Sequence, residues 1–364
     1  MKITIVAGAR PNFIKIAPII KAIKEAQQKG QSIEYRLVHT GQHFDKKMST
    51  DFFEQLEIPE PDINLEAGGG TQAEQTATIM ARFEKELIQN KPDIVLVVGD
   101  VTSTMACAIA AKKLCIKVAH VEAGLRSKDW TMPEEINRIV TDAISDHFFT
   151  TSEDANSNLR KEGIDSRQIH FVGNTMIDTL YQNMDRLTAP REWNELALTK
   201  NSYFILTLHR PVNVDEMENL KKILDTIVSA TSDFPILFPV HPRTKKILKE
   251  MQYQDKKLVQ LEPLSYLEFV YLIKNAKAVI TDSGGITEET TVLGIPCITL
   301  RNTTERPETV TIGTNKLVGV ELANLNKYLN DIIEGRWKKG SIPELWDGQT
   351  SSRIVYELLT LNKA

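Results

Sequence analysis

Cysteine is nearly absent from this chain. Cys107, Cys115 and Cys297 are the only three in 364 residues, and none stands at C-x-x-C or Cys/His spacing. A sparse, odd set among apolar or small residues reads as reduced core thiols. That excludes a disulfide framework, and no metal site is expected. Long apolar runs are also missing: nothing approaches the roughly 18 residues of a membrane span, and Met1 leads straight into the strand-like KITIVAG with no signal peptide before it. Nor is positive charge in excess. Lys and Arg number 44 against 48 Asp and Glu, a net charge of −4, so neither nucleic acid nor an anionic membrane is an expected partner. The expectation is a cytoplasmic protein.

What the chain does have is alternation. KITIVAG (2–8), EYRLVHTG (34–41), DIVLVVGD (93–100), KVAHVEAG (117–124), HFFTTS (147–152) and IHFVGN (169–174) are apolar, β-branched runs, and amphipathic stretches such as 13–27 and 103–114 separate them. The scheme repeats with YFILTLHR (203–210), PILFPVHP (235–242), KLVQLEP (257–263), AVITDSG (278–284) and PCITL (296–300). Continuous apolar strands alternating with helices imply parallel sheets covered on both faces. The fold class is α/β, with two Rossmann-like, doubly wound domains. Periodic helix gives way to the polar DRLTAPREWNEL between Thr175 and Asn201. This places one domain at 1–175, a second at 176–345, and a C-terminal helical segment at 346–364.

In open α/β sheets, ligands bind beyond the carboxyl ends of the strands. The residues there are polar. Arg10 and Lys15 bracket the first helix start beside the Gly8 turn, a combination that suits a phosphate. Asp100 follows its strand and could cap the next helix. Glu122 lies inside KVAHVEAG, where a carboxylate is costly unless used or paired. Glu134 and Glu135 follow Pro133 as in an ordinary helix start. His209 and Arg210 precede Pro211 and fit either a turn or an anion clamp. In TDSGGITEET, a glycine turn opens a helix and offers bare N–H groups to an anion. Glu288 and Glu289 there either complement the helix dipole or accept from a hydroxyl attached to that anion.

The strings GARPNFIK, TGQH, GDVTSTMACAIAA, HVEAGLRS, MPEEINR, GNTMIDTL, LHRP, VHPR, TDSGGITEE and RNTTERPE, in this order, resemble the non-hydrolysing UDP-N-acetylglucosamine 2-epimerase family from the first residue to about Gly319. The resemblance implies the GT-B fold, two Rossmann-like domains facing a cleft with the C-terminal helix crossing back to the first. It implies a UDP-sugar substrate, a homodimer, and C2 inversion without a redox cofactor, by elimination of UDP to a 2-acetamidoglucal and its re-addition. Asp100, Glu122 and Glu134 match the family's catalytic carboxylates, and His209 its histidine near the leaving diphosphate. Ser283, Gly284 and Gly285 match its diphosphate turn, Glu289 its ribose acceptor, and Arg10 its phosphate-contacting arginine. Phe269 is expected near the uracil. Lys15, Arg138 of MPEEINR and Arg306 of RNTTERPE complete the expected binding set. Clustered carboxylates would raise one another's pKa. Val101 replaces the family's usual threonine after Gly-Asp, and LTLHRPVNVDE differs from the version common in bacterial members. These departures leave room for a modified sugar, such as a 2,3-diacetamido uronic acid on UDP. Met48 lies two positions late for the family's Gln-His-x-x-Met pattern, here begun by Gln42 and His43, and independence from activation by UDP-GlcNAc is expected.

Overall fold

The computed structural model describes residues 1–42, 53–240, 242–319 and 322–361. They divide into two compact units, Met1–Gln182 with Glu344–Ala364, and Asn183–Pro343. In the first unit, β1 (Lys2–Ala7), β2 (Glu34–His39), β3 (Ile63–Asn64), β4 (Ile94–Val98), β5 (Lys117–Val121), β6 (His147–Thr150) and β7 (Ile169–Phe171) pair in parallel in the order β3-β2-β1-β4-β5-β6-β7. β4 reads IVLVV and is buried throughout, as a central parallel strand covered on both faces must be. The unit's helices are α1 (Arg10–Gln28), α2 (Gln72–Gln89), α3 (Thr102–Lys113), α4 (Pro133–Ile144), α5 (Glu153–Lys161) and α6 (Thr175–Asn183).

Local chemistry explains where these helices begin. Thr71 caps α2 by accepting from the Glu74 N–H at 3.3 Å, while Glu74 accepts from the Thr71 N–H at 2.8 Å. The buried face of α2 carries Ile79, Phe83 and Leu87, and each such side chain removed from water contributes about 1.5–3 kcal/mol. α3 packs between α2 and α4, and its buried Ala106, Cys107, Ala108, Ala110 and Ala111 are small enough to let the helices approach. Inside α1, Pro18 has no N–H to give the Ile14 carbonyl, and the buried Thr179 of α6 donates to that carbonyl at 2.6 Å. Cys115 departs from the core reading. It is exposed, in a left-handed turn just beyond α3.

The second unit holds a six-stranded parallel sheet of β8 (Phe204–Thr207), β9 (Ile236–Pro239), β10 (Leu258–Leu261), β11 (Ala278–Thr281), β12 (Cys297–Thr299) and β13 (Asn315–Leu317), in the order β10-β9-β8-β11-β12-β13. Its helices are α7 (Arg191–Glu195), α8 (Pro211–Val214), α9 (Met217–Ala230), α10 (Pro242–Glu250), α11 (Tyr266–Asn275), α12 (Gly284–Leu293), α13 (Pro307–Thr311) and α14 (Leu322–Ile333). After Pro343 the chain rejoins the first unit. The indole of the fully buried Trp346 donates to the Thr151 carbonyl at 3.0 Å. α15 (Thr350–Leu361) starts on Asp178, whose carboxylate accepts from the Thr350 and Ser351 N–H groups at 3.0 and 2.6 Å, and packs against α1. Among the described residues no helix is long and apolar enough to cross a membrane.

Candidate active site

Both sheets reverse direction of growth at one place, between β1 and β4 in the first unit and between β8 and β11 in the second. Such switch points are where open parallel sheets bind ligands. In the first unit the β1 turn runs very close to α3, and a Cβ on Gly8 would lie 2.0 Å from the Ser103 hydroxyl. The buried Asn12 ties this turn to its neighbour. Its carbonyl oxygen accepts from the Gly8 and Ala9 N–H groups at 3.3 and 3.1 Å, and its amide donates to the Val98 carbonyl at 2.8 Å. The N–H groups of the Gly8 turn are thus engaged by Asn12. Arg10 opens α1 and is exposed. Lys15, one turn further on, is ion-paired with Glu122.

Glu122 is not within its strand. β5 ends at Val121, and Glu122 is the first residue beyond it, buried, with a left-handed φ of 70°. Side chains other than glycine rarely adopt that conformation, and where they do it commonly serves a site. Asp100 does not cap α3 either. The cap position is Val101, without a side-chain acceptor, and the distant Gln42 accepts from the Ser103 N–H at 3.1 Å. The Asp100 carboxylate is instead bound by Arg138, and its carbonyl accepts from the Asn137 amide at 2.8 Å. Asp100 and Glu122 are therefore each paired with a cation. His43 and Met48 lie outside the described residues.

The two glutamates that open α4 have separate fates. Glu134 is half-buried, and no side-chain hydrogen bond or ion pair of it is seen among the described residues. Glu135 turns inward and accepts from the Ser127 and Lys128 N–H groups at 2.9 and 2.8 Å and from Arg138 Nη2 at 2.6 Å. Burial pushes its pKa up, but these donors outweigh burial and hold it below the ordinary value. Arg138, 1% exposed, spans Asp100 and Glu135.

In the second unit, β8 leads into His209 and Arg210, and β11 into Asp282 and Ser283. The buried Asp282 gathers the turn after β8. It accepts from the Arg210 N–H at 2.9 Å, the Asn213 amide at 3.0 Å and His209 Nδ1 at 2.8 Å. Burial raises its pKa, but the His209 ring and these donors bring it below the usual range. An ionised Asp282 fixes the proton on Nδ1 of His209 and leaves Nε2 for another partner. Ser283 caps α12, and Gly284 and Gly285 are its first two residues. A Cβ on Gly284 would lie 2.5 Å from Glu305, which is itself held by Arg301 at 2.6 Å.

Glu288 and Glu289 fall past the first turn of α12, which contains no acid, so they do not serve the helix dipole there. Glu288 is bound by the buried Arg306, which also approaches Glu308 at 3.9 Å. Glu289 is fully buried, and burial pushes its pKa up to about 7. The Glu288 charge adds to that rise. Glu289 Oε1 and Tyr266 Oη have no hydrogen-bond partner among the described residues. Phe269, on α11, is half-buried against the core.

Asn12, Glu135 and Asp282 were not singled out from the sequence. Asp282 was findable, as a polar residue at the end of an apolar run, by the reasoning applied to Asp100. Residue type and spacing alone do not distinguish Glu135 from Glu134; only the family resemblance picks out Glu134.

Two doubly wound parallel sheets, each with its polar cluster at the switch point, define a protein of the GT-B class. Comparison with known proteins gives the family: a model described as UDP-N-acetylglucosamine 2-epimerase matches residues 24–359. The UDP-N-acetylglucosamine 2-epimerase of Methanocaldococcus jannaschii is 44% identical over 100% of both chains. The UDP-2,3-diacetamido-2,3-dideoxy-D-glucuronate 2-epimerase of Pseudomonas aeruginosa is 41% identical over 99% of this chain and 100% of its own. Among solved structures, the M. jannaschii UDP-GlcNAc 2-epimerase in complex with UDP-GlcNAc and UDP superposes with a TM-score of 0.88 at 43% identity, covering 99% of this chain and 100% of that one. The chain belongs to the UDP-N-acetylglucosamine 2-epimerase family.

Proposed function

We propose that this protein interconverts UDP-N-acetylglucosamine and UDP-N-acetylmannosamine, supplying cell-surface polysaccharide synthesis. The full-length match to an epimerase structure determined with UDP-GlcNAc and UDP carries the reading. In the first half-reaction a carboxylate removes H-2, the C1–O bond breaks with its electron pair passing to UDP, and 2-acetamidoglucal remains. Protonation of C2 from the other face and re-addition of UDP at C1 give the epimer. Acid and base groups on opposite sides of the sugar are required, and Asp100, Glu122 and Glu134 supply them. His209, with Nδ1 held by Asp282, and the Ser283-Gly284-Gly285 turn stabilise the departing diphosphate, and Arg10 contacts a phosphate. Glu289 accepts the ribose hydroxyls, and Phe269 lies by the uracil. Lys15 and Arg138 act through Glu122 and Asp100, and Arg306 through Glu288. A phosphate would have to compete with Glu122 for Lys15. No cofactor takes part, and the enzyme is a cytoplasmic homodimer.

The P. aeruginosa relative, at 41% identity, favours one further reading, the same inversion on a UDP-2,3-diacetamido uronic acid. Incubation with UDP-GlcNAc in deuterated water, followed by proton NMR, separates the possibilities. UDP-ManNAc deuterated at C2 is the expected product. Free N-acetylmannosamine plus UDP would mean a hydrolysing epimerase. An unchanged spectrum, with turnover of the diacetamido uronate, would move the assignment to the modified sugar. Binding without turnover of either would leave a glycosyltransferase or a UDP-sugar binding protein.

A further inference from the structure

The strand β5 carries a second polar residue that the chemistry above does not use. His120 is fully buried, and so is Asp142 on the inner face of α4. The His120 ring lies between two acceptors. Nε2 is 2.8 Å from the Gly99 carbonyl and Nδ1 is 2.6 Å from Asp142 Oδ1. Both ring nitrogens are thus within hydrogen-bonding distance of an oxygen, one on each of two neighbouring elements. The other oxygen of Asp142 accepts from the Gly124 N–H at 3.0 Å and from Arg126 Nη1 at 2.7 Å, and Arg126 continues to Glu162 at 2.6 Å.

The two backbone groups held in this way are not arbitrary. Gly99 immediately precedes Asp100, and Gly124 stands two residues after Glu122. Gly99, Glu122 and Gly124 all have positive φ, of 69°, 70° and 79°. Glycine adopts such φ freely, whereas Glu122 is strained by it and needs its surroundings to hold it there. The Gly124 turn is also closed in by packing, because its carbonyl accepts from the Asn158 amide at 2.9 Å and a Cβ there would lie 2.4 Å from the Ala155 carbonyl. The Gly99 carbonyl has His120 as its side-chain donor.

We propose that His120 and Asp142 are a buried positioning pair, which joins the Gly99–Asp100 turn to the Glu122–Gly124 turn and fixes the separation of the two carboxylates. A base and an acid that must reach opposite faces of one sugar carbon lose efficiency when either shifts, and a displacement of about 1 Å lowers turnover by about 10²-fold. Asp142 lies one helical turn from Arg138, which binds Asp100 directly, so α4 sets both turns from one rigid element. The proposal rests on the reading that Asp100 and Glu122 act on the substrate.

Two substitutions of the histidine divide its two bonds. In His120→Gln the side-chain amide reaches the position of Nε2 and keeps the donation to Gly99. In His120→Asn the amide replaces Nδ1, so the bond to Asp142 is kept and the bond to Gly99 is lost. With UDP-GlcNAc as substrate, His120→Asn is expected to lower kcat by about 10²-fold and His120→Gln by no more than about tenfold, with KM and UDP affinity within about threefold of the parent in both. Asp142→Ala, which removes the acceptor shared by His120, Gly124 and Arg126, should lower kcat like His120→Asn and serves if that variant does not fold. A His120→Asn kcat within about threefold of the parent overturns the proposal. Equal losses in the Asn and Gln variants, in step with equal falls in melting temperature, overturn it too by showing a role in folding only. Asp100→Asn and Glu122→Gln in the same assay keep the two readings apart. Near-normal turnover in those variants removes the carboxylate assignment itself, whereas their inactivity beside an active His120→Asn removes only the positioning pair.

Discussion

Glu135 in the first unit and Glu289 in the second are both buried, and each lies on a helix. Their surroundings are opposite. Glu135 receives backbone N–H groups and a guanidinium, which keep its pKa below the ordinary value. Glu289 has no cation, leaves one oxygen without a partner among the described residues, and is pushed up to about 7. Burial acts on both in the same direction, so the local donors decide the outcome. The contrast extends to neighbours. Asp100, Glu122 and Asp142 are each met by a cation, as are Glu288 and Glu305 in the second unit. Glu289 is, among the described residues, a buried acid with no cation beside it.

The sharpest way to break this contrast is to remove a matched cation. Arg138→Ala leaves Asp100 and the buried Glu135 without their partner, and should destabilise the protein by about 3–5 kcal/mol. Urea denaturation measures this, and a loss below about 1 kcal/mol would show that the backbone donors alone sustain Glu135. Asp100→Asn, Glu122→Gln and Glu134→Gln should each reduce turnover by at least about 10²-fold with UDP affinity largely intact. Glu134 is the informative member, since it has no side-chain partner among the described residues. Near-normal turnover in Glu134→Gln would return it to an ordinary helix-start acid.

The unmatched side of the comparison predicts a pH effect. A carboxyl raised from 4.5 to about 7 stabilises the fold fully below its unfolded pKa, and that contribution is lost as pH rises through 7. Between about pH 5 and about pH 8 the parent should lose on the order of 3 kcal/mol that Glu289→Gln does not lose. Parallel stability profiles in the two proteins would end the contrast. If ionised Glu289 accepts the ribose hydroxyls, UDP affinity should also rise over that window and should fall in Glu289→Ala, both readable by titration calorimetry. The smallest effect concerns a neutral pair. Thr179→Val takes the hydroxyl from the Ile14 carbonyl that Pro18 cannot serve, and should cost about 1 kcal/mol in melting experiments. An unchanged protein would mean that α1 bends to satisfy the carbonyl elsewhere.

The strands were legible because a buried parallel strand must be apolar along its length. β4 and β11 were read from IVLVV and AVIT for that reason. β3, of two residues, is too short to carry a pattern, and β13 reads NKL, with no apolar run to mark it. The rule that marked Glu122 as anomalous applies with greater force to His120, which lies inside β5, whereas Glu122 stands one residue past its end. Polarity within a strand shows that a group is used. It does not show which helix brings the partner.

By itself, the sequence determined the alternation of strands and helices, the polar residues at the strand ends, and the order of motifs that marks the family. Each follows from local periodicity or from residue type at a fixed spacing, which the chain carries before it folds. Tertiary structure alone decided the pairing of charges: Lys15 with Glu122, Arg138 with Asp100 and Glu135, Arg306 with Glu288, and, among the described residues, no cation for Glu289. Most of these partners are far apart in sequence. Whether a buried acid is ionised depends on the few donors that packing brings within hydrogen-bonding distance, and adjacent glutamates such as Glu134 and Glu135 diverge because one helical step turns one inward and the other out.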